Sequence, residues 1–418
     1  MNMILRALMV SVWFMALTFP LVVLKVDALN DTILFRWENM ASIGVGAFVL
    51  SIFWRWSMER KARGAVSTGP SLFARALEAV RQPKPRYTCL GLIAVLMLVM
   101  PYISSMYQIN IMISALIYIM LGLGLNIVVG LAGQLVLGYA AFYAVGAYTY
   151  GLLNTYFGLG FWAVLPVGGI MAALFGLMLG FPVLRLKGDY LAIVTLAFGE
   201  IIKNIINILY VGVDENGLHF STSSEAALNL SETGKAILKG PMGVTANVKL
   251  SSFTAGFLLV MVALIVVLNL VNSRSGRAIM ALRDNRIAAE SVGISATKYK
   301  LMAFVTSAVL AGAAGALYAM NYSSIAAKKF DFNTSILILV YVVLGGLGNI
   351  RGSVIAAALL YVLPELLRDF YDYRMLIYAI VLILVMLATN NEHSKEFFSS
   401  LRRKILGRGT EKGGAQNG

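Results

Sequence analysis

Residues 110–130 read NIMISALIYIMLGLGLNIVVG, and residues 131–153 continue directly as LAGQLVLGYAAFYAVGAYTYGLL. Neither stretch contains Asp, Glu, Lys, Arg or His. A helix needs about 20 consecutive apolar residues to cross the hydrocarbon core of a bilayer, and each stretch is long enough. The two stretches therefore predict two successive membrane-spanning helices.

Similar apolar stretches follow one another along most of the chain. They are 7–26, 38–56, 88–106, 160–184, 189–210, 252–271, 301–320, 334–350, 353–367 and 375–390. Hydrophobic residues make up 59% of the 418 residues and charged residues only 13%, which is too few to cover a soluble surface. We predict an all-α fold, a polytopic inner-membrane helical bundle. Because some stretches are short or contain glycines, we expect about 10 to 12 spans with broken or re-entrant helices.

The basic residues predict which side of the membrane each loop faces. If the N-terminus is cytoplasmic, the cytoplasmic segments are 57–87, 185–188, 272–300 and the tail from residue 391, with Arg6, Arg55 and Arg351 at span ends. These positions hold 24 of the 34 Lys and Arg residues. Basic loops resist translocation, so this bias predicts that both termini are cytoplasmic. The net charge of +14 is thereby explained without a nucleic-acid partner.

The organisation along the chain is uneven. Residues 1–86 are predicted to form an N-terminal extension of two spans and a basic linker, and 87–390 a compact transmembrane core. The core has a long cytoplasmic loop at 272–300 and a long outer loop at 212–250. Residues 391–418 are polar and basic, which is typical of a cytoplasmic tail.

Motifs of enzyme chemistry are missing. A phosphate-binding loop ends in Gly-Lys-Ser/Thr, but Gly234-Lys235 is followed by Ala236. The one cysteine, Cys89, and the two distant histidines, His219 and His393, make a metal site improbable. We therefore predict no catalytic residue, no metal and no cofactor bound by this chain.

Glu200 is the clearest ionisable candidate within a predicted span. Lys203 lies three residues later, on the same face of the helix over 189–210. The two side chains either line a pathway or neutralise each other. An ion-coupled carrier needs an intramembrane acid, so a stand-alone ion-coupled amino acid carrier is kept as the alternative function. Asp189 is expected to cap the N-terminus of this helix.

The loop 272–300 is too polar to span a membrane but has a helical pattern. Asp284 is expected to cap a second short helix, which Gly293 ends as a left-handed residue. Two amphipathic helices on the cytoplasmic face favour docking into the groove of a partner protein. The other interpretation is a basic loop that binds membrane lipid.

Glycine clusters predict two different structural roles. Small residues at 308–315 favour close helix packing. Breaks in helices are expected where polar residues accompany the glycines, and backbone exposed there can meet a substrate. The candidates for the translocation path are Gly130, Gly133, Gln134, Gly138, Glu200, Gly345, Gly346 and Gly348.

Four motifs in this order carry a resemblance to a known family. They are GLNIVVGLAGQLVLGYAAFYAVGAY at 124–148, LRLKGDYLAIVTLAFGE at 184–200, the Gly276-Arg277-Ala278, Arg283-Asp284-Asn285 and Gly293 pattern of the loop, and VLGGLG at 343–348. The region 88–390 resembles the larger, M-type permease of bacterial branched-chain amino acid ABC importers.

The resemblance implies a function and a set of partners. It implies a permease for leucine, isoleucine and valine in the bacterial inner membrane, acting by alternating access. The implied partners are a second, H-type permease, two cytoplasmic ABC ATPases and a periplasmic amino-acid-binding protein facing the outer loop. ATP and Mg²⁺ would be used by the ATPases alone. The residues implied to couple to the ATPases are Gly276, Arg277, Arg283, Asp284, Asn285 and Gly293.

Overall fold

A computed structural model describes residues 24–27, 32–35, 101 and 104–390, apart from 184, 187, 216, 229, 231–233, 246–252, 323 and 369–373. The chain divides into two units, Met1–Cys89 and Leu90–Gly418. In the first unit, strands β1 (Leu24–Asp27) and β2 (Thr32–Phe35) pair antiparallel. The predicted span 38–56, most of 7–26 and 88–106, the basic linker and the tail at 391–418 lie outside the described residues.

The second unit is built from helices that lie close to the predicted apolar stretches, except that residues 132–139 of the predicted span 131–153 are not helical. They are α1 (Met106–Leu125), a π-helical segment (Asn126–Leu131), α2 (Ala140–Phe157), α3 (Phe161–Val183), α4 (Asp189–Ile208), α5 (Phe253–Asn272), α6 (Arg274–Asp284), α7 (Arg286–Ser291), α8 (Ala296–Asn321), α9 (Phe332–Gly345), α10 (Ile350–Leu366) and α11 (Arg374–Asn390). Among the described residues, five helices are long and apolar enough to cross a membrane: α1 with its π-helical extension, α3, α4, α5 and α8. The predicted helical membrane bundle is confirmed, whereas 10 to 12 crossings stays a prediction.

Helix α8 packs through its small residues. A Cβ added at Gly312 would lie 2.5 Å from the Cβ of Ala172 on α3. One added at Gly315 would overlap the carbonyl oxygen of Tyr143 on α2. The predicted close packing at 308–315 is therefore confirmed, because only residues without a side chain let these backbones approach.

Both predicted helix breaks are present. The first follows α1, where the π-helical segment ends and the chain runs without regular structure to α2. The second separates α9 from α10, where Gly346 and Gly348 have φ of +93° and +79°. Glycine suits these left-handed conformations because it carries no Cβ.

A small antiparallel sheet, which the sequence did not predict, forms in the loop that was predicted to face outside. Its strands are β3 (Tyr210–Asp214), β4 (Gly217–Ser221), β5 (Lys235–Lys239), β6 (Val244–Thr245) and β7 (Ser324–Ile325), in the order β4-β3-β5-β6-β7. Strand β7 directly follows α8, so the sheet joins the loop to the helical bundle. The hydroxyl of Tyr148 on α2 donates to the Ile325 carbonyl at 2.7 Å.

The sheet and the amphipathic loop lie at opposite ends of α8. This helix has 26 residues, which corresponds to a length of about 39 Å. Helices α6 and α7 precede its first residue, and β7 follows its last. The length of α8 thus separates the loop predicted to be cytoplasmic from the loop predicted to be outside.

Candidate functional site

The first half of the loop 272–300 is held by a tight turn after α5. The hydroxyl of Ser273 accepts from the amide of Gly276 at 3.0 Å and so caps α6. A Cβ at Gly276 would overlap the Leu270 carbonyl oxygen, so this position requires glycine. Arg277 donates to the Asn272 carbonyl at 3.0 Å. Ile279 and Leu282 are buried, so that α6 lies with its apolar face on the bundle.

The second half is the predicted short helix, but its cap is Asn285. The side chain of Asn285 accepts from the Ala288 amide at 3.1 Å. The prediction that Asp284 caps this helix was therefore wrong by one residue, because Asp284 is the last residue of α6 and binds Arg283 instead. Gly293 has a φ of +86° and ends the helix as predicted.

Two apolar side chains of this loop point into solvent. Ile287 is 81% exposed and Val292 is 75% exposed, the two highest values among the large hydrophobic residues described. A polar loop that merely attracts lipid headgroups does not require apolar groups at its most exposed positions. The arrangement is typical of a surface that a partner covers.

The first break leaves the backbone carbonyl of Gly130 without a helical partner. The backbone N–H of Gln134 donates to the Val128 carbonyl oxygen at 3.0 Å, and the helix ends there. Nη1 of Arg283 donates to the Gly130 carbonyl oxygen at 2.7 Å. A cation is favoured here because the C-terminal carbonyls of a helix carry partial negative charge.

The second break is joined to the first by Asn126. Its side-chain oxygen accepts from the Gly348 amide at 2.8 Å. A Cβ on Gly348 would lie 3.3 Å from the Gly130 oxygen and 3.4 Å from Nη1 of Arg283. Gly133, with a φ of +65°, packs on the Arg283 side chain. We call Asn126, Gly130, Gly133, Arg283 and Gly348 the junction.

The remaining path candidates lie around the junction in different positions. Gly138 packs on the backbone of α4, where a Cβ would overlap the Thr195 carbonyl oxygen. Gly345 packs on Ser353 at the start of α10. Gly346 forms the turn, and its amide donates to the Val343 carbonyl at 3.0 Å. The structure thus brings Gly130, Gly133 and Gly348 together with Arg283, and leaves the coupling candidates Arg277 and Gly293 in separate turns of the loop.

Glu200 forms an ion pair with Lys203. Nζ of Lys203 lies 2.6 Å from Oε2 of Glu200, and the two side chains are 25% and 34% exposed respectively. The interpretation in which the two residues neutralise each other fits this geometry. The prediction that Asp189 caps α4 was wrong, because Asp189 is the first residue of the helix. Gly188, with a φ of +57°, precedes it.

Unpaired polar groups are buried near the breaks. Within the described residues, Nδ2 of Asn126, Oε1 of Gln134 and Oγ of Ser353 have no hydrogen-bond partner. These residues are 2%, 4% and 1% exposed. Such groups are costly in an apolar bundle, so they point to a role at the breaks other than packing.

Several of these functional candidates were missed by the sequence reasoning. Asn126 carried a signal, because it is a lone amide inside an apolar stretch. Ile287 and Val292 carried none, because the exposed fraction of a side chain depends on how the loop packs. Among the described residues, no group of three or more His, Cys, Asp or Glu side chains is placed to hold a metal ion.

A helical membrane bundle with two glycine breaks, joined to an amphipathic loop at one end, is the architecture of a membrane transport permease. Residues 107–387 match the family described as branched-chain amino acid transport system / permease component, and the chain belongs to this family. It is a transport component with multiple membrane helices.

Curated relatives agree with the family match. The chain is 43% identical to the high-affinity branched-chain amino acid transport system permease protein LivM of Escherichia coli over 71% of this chain and 73% of the relative. It is 41% identical to LivM of Salmonella typhimurium over 69% and 70%. A probable LivM of Methanocaldococcus jannaschii is 26% identical over 55% and 71%. No solved structure matches the chain.

Proposed function

We propose that this chain is the larger permease subunit of an ATP-driven importer of leucine, isoleucine and valine. It works with a second permease of the H type, two cytoplasmic ATPases and a periplasmic amino-acid-binding protein. Substrate enters from the binding protein and crosses by alternating access. The single observation that supports this assembly best is the surface of the loop 272–300, where Ile287 and Val292 are exposed on a rigidly capped helix pair.

The loop is suited to receive force from a partner. Its two helices are capped by Ser273 and Asn285, and they pack on each other through Leu282 and Ala289. One face is fixed to the bundle through Ile279 and Leu282, and the other presents apolar groups. An ATPase with an apolar groove would bury the exposed side chains, which stabilises docking by roughly 1.5 to 3 kcal/mol for each of them.

The orientation follows from the two ends of α8. We place the loop 272–300 and the two termini in the cytoplasm, because the predicted inner segments hold most of the basic residues. The five-stranded sheet is then periplasmic and faces the binding protein. Its exposed residues include Leu218 and Phe220 on β4, at 53% and 66%, and Met242 in the turn between β5 and β6 is 73% exposed.

The experiment that tests the assembly is co-purification with matched variants. The tagged chain is extracted mildly from native membranes, its companions are identified, and the sample is tested for ATP hydrolysis. We expect a second permease and two ATPases. Ile287→Asp and Val292→Asp are expected to release the ATPases, because a desolvated carboxylate opposes burial.

Met242→Asp is the control for these substitutions. Met242 is as exposed as Val292 but lies in the turn between β5 and β6, far along the chain from the loop 272–300, so its substitution should leave the ATPases bound. A wild-type chain that purifies alone and still moves leucine into liposomes under an ion gradient would contradict the proposal. Equal amounts of bound ATPase in all three variants would instead show that the loop 272–300 is not part of the docking surface.

A second experiment separates the importer from an ion-coupled carrier. The double substitution Glu200→Gln with Lys203→Gln removes both charges and leaves no unpaired cation. An ATP-driven permease should keep leucine uptake within about twofold of wild type, because the pair neutralises itself. A carrier that uses Glu200 as its proton or sodium site would lose uptake entirely.

A further inference from the structure

The carbonyl oxygen of Gly130 and the amide of Gly348 are freed by two separate helix breaks, and each is satisfied by one side chain. Arg283 donates to the oxygen at 2.7 Å, and Asn126 accepts from the amide at 2.8 Å. Backbone groups left without partners inside a membrane protein are costly. The junction is therefore the place where both breaks are stabilised together.

Asp284 fixes the orientation of the guanidinium group. Its Oδ1 accepts from Nε at 3.2 Å and from Nη2 at 3.1 Å, so that Nη1 is left to meet Gly130. The planar fork of arginine allows these contacts at the same time, and one ammonium group cannot reproduce them. Arg283 is thus held by its own neighbour before it reaches the break.

Arg283 also belongs to the rigid loop. It lies in the last turn of α6, and Leu282 beside it is 3% exposed and packs with Ala289 of α7. A movement of the helix pair must therefore carry the guanidinium group with it. The polar groups behind the breaks, Gln134 and Ser353, are inaccessible in this structure.

We propose that Arg283 is a positioning residue that holds both glycine breaks closed at the cytoplasmic end of the pathway. When α6 and α7 move, the bond to Gly130 is lost and the two breaks separate. The proposal rests on the proposed function for the source of the movement. The contact between Arg283 and Gly130, by contrast, is a property of this chain alone.

The test measures how fast a buried thiol at the second break reacts. Ser353→Cys is introduced with Cys89→Ser, which removes the only native cysteine. Ser353 is 1% exposed and its hydroxyl has no partner among the described residues, so the exchange of oxygen for sulfur disturbs little. The reaction with a small methanethiosulfonate reagent is followed in inside-out membrane vesicles without nucleotide.

Arg283→Gln is expected to raise the reaction rate at least tenfold, because the first break loses its donor and the junction that joins the two breaks is weakened. Arg286→Gln is the matched control. Arg286 lies in the same loop and binds Glu290 at 3.0 Å, with a side chain exposed to 43% against 39% for Arg283. The thiol in the Arg286→Gln variant should react at a rate within twofold of the parent protein. Arg283→Lys keeps the cation and should give an intermediate rate.

Two results would overturn the proposal. The first is a reaction rate in Arg283→Gln equal to that in Arg286→Gln. The second is a rate in Arg283→Lys equal to that of the parent, because a single ammonium group would then suffice and the oriented guanidinium group would have no positioning effect. The thiol reaction needs neither ATP nor import. A wild-type complex without ATP-driven import would therefore contradict the proposed function and leave this test valid.

Discussion

The glycines of α8 and the glycines of the two breaks have similar local sequences and opposite structural roles. Gly312 and Gly315 lie inside a continuous helix, where neighbouring backbones occupy the space of a side chain. Gly133, Gly346 and Gly348 have positive φ angles where regular structure stops. In the first region glycine allows neighbouring helices to approach closely. In the second region it allows a backbone conformation with positive φ.

The difference distinguishes a tightly packed part of the bundle from the part that is proposed to move. A helix face packed backbone to backbone resists displacement, because no side chain can rearrange to absorb it. A break held by a few hydrogen bonds can exchange its partners at moderate cost. The junction contains such bonds and α8 supplies the fixed reference beside it.

The largest expected effect concerns α8. Gly315→Ala should lower the free energy of unfolding by about 3 kcal/mol, because its Cβ overlaps the backbone of α2. Gly169→Ala on α3 is the control, since its Cβ would meet only Val309 at 3.5 Å. That variant should gain about 0.5 to 1 kcal/mol from helix propensity. Thermal unfolding in detergent measures both, and equal shifts in the two variants would contradict the role of Gly315 in the close packing of α8.

An intermediate effect is expected at the first break. Gly133 and Gly158 have φ of +65° and +64°, but only Gly133 faces a neighbour, the Cγ of Arg283 at 2.7 Å from an added Cβ. Gly158→Ala should cost about 1 kcal/mol from backbone strain alone and leave uptake intact. Gly133→Ala should cost about 2 kcal/mol and reduce uptake about tenfold, because the added methyl displaces Arg283. Leucine uptake and unfolding are measured side by side. Similar uptake by both variants would show that the first break tolerates this displacement.

The smallest effect is expected at the second break. The side chain of Asn349 accepts from the Gly352 amide at 3.2 Å and caps α10. Asn349→Ala should lower stability by about 1 kcal/mol, and Asn349→Asp should be close to wild type because it keeps the cap. The same unfolding assay applies. A larger loss in Asn349→Ala would mean that the break depends on this cap more than on the junction.

Much of the bundle was predictable because membrane spans are encoded locally. The apolar stretches from 110–130 to 375–390 correspond to helices, and polar residues beside glycine correctly indicated both breaks. The caps were less predictable. Asp284 and Asn285 are adjacent and both are good capping residues, so only the positions of the α6 and α7 backbones decide between them.

The sequence by itself determined the family and the helical class and indicated the candidate functional segments, because hydropathy, charge bias and ordered motifs are local properties of the chain. Only the tertiary structure decided that Arg283 reaches Gly130, 153 residues away, and that Asn126 joins Gly348, 222 residues away. The five-stranded sheet likewise depends on pairing with β7 after α8. Such contacts depend on which helices are neighbours, and that follows from the packing of the whole bundle rather than from any one segment.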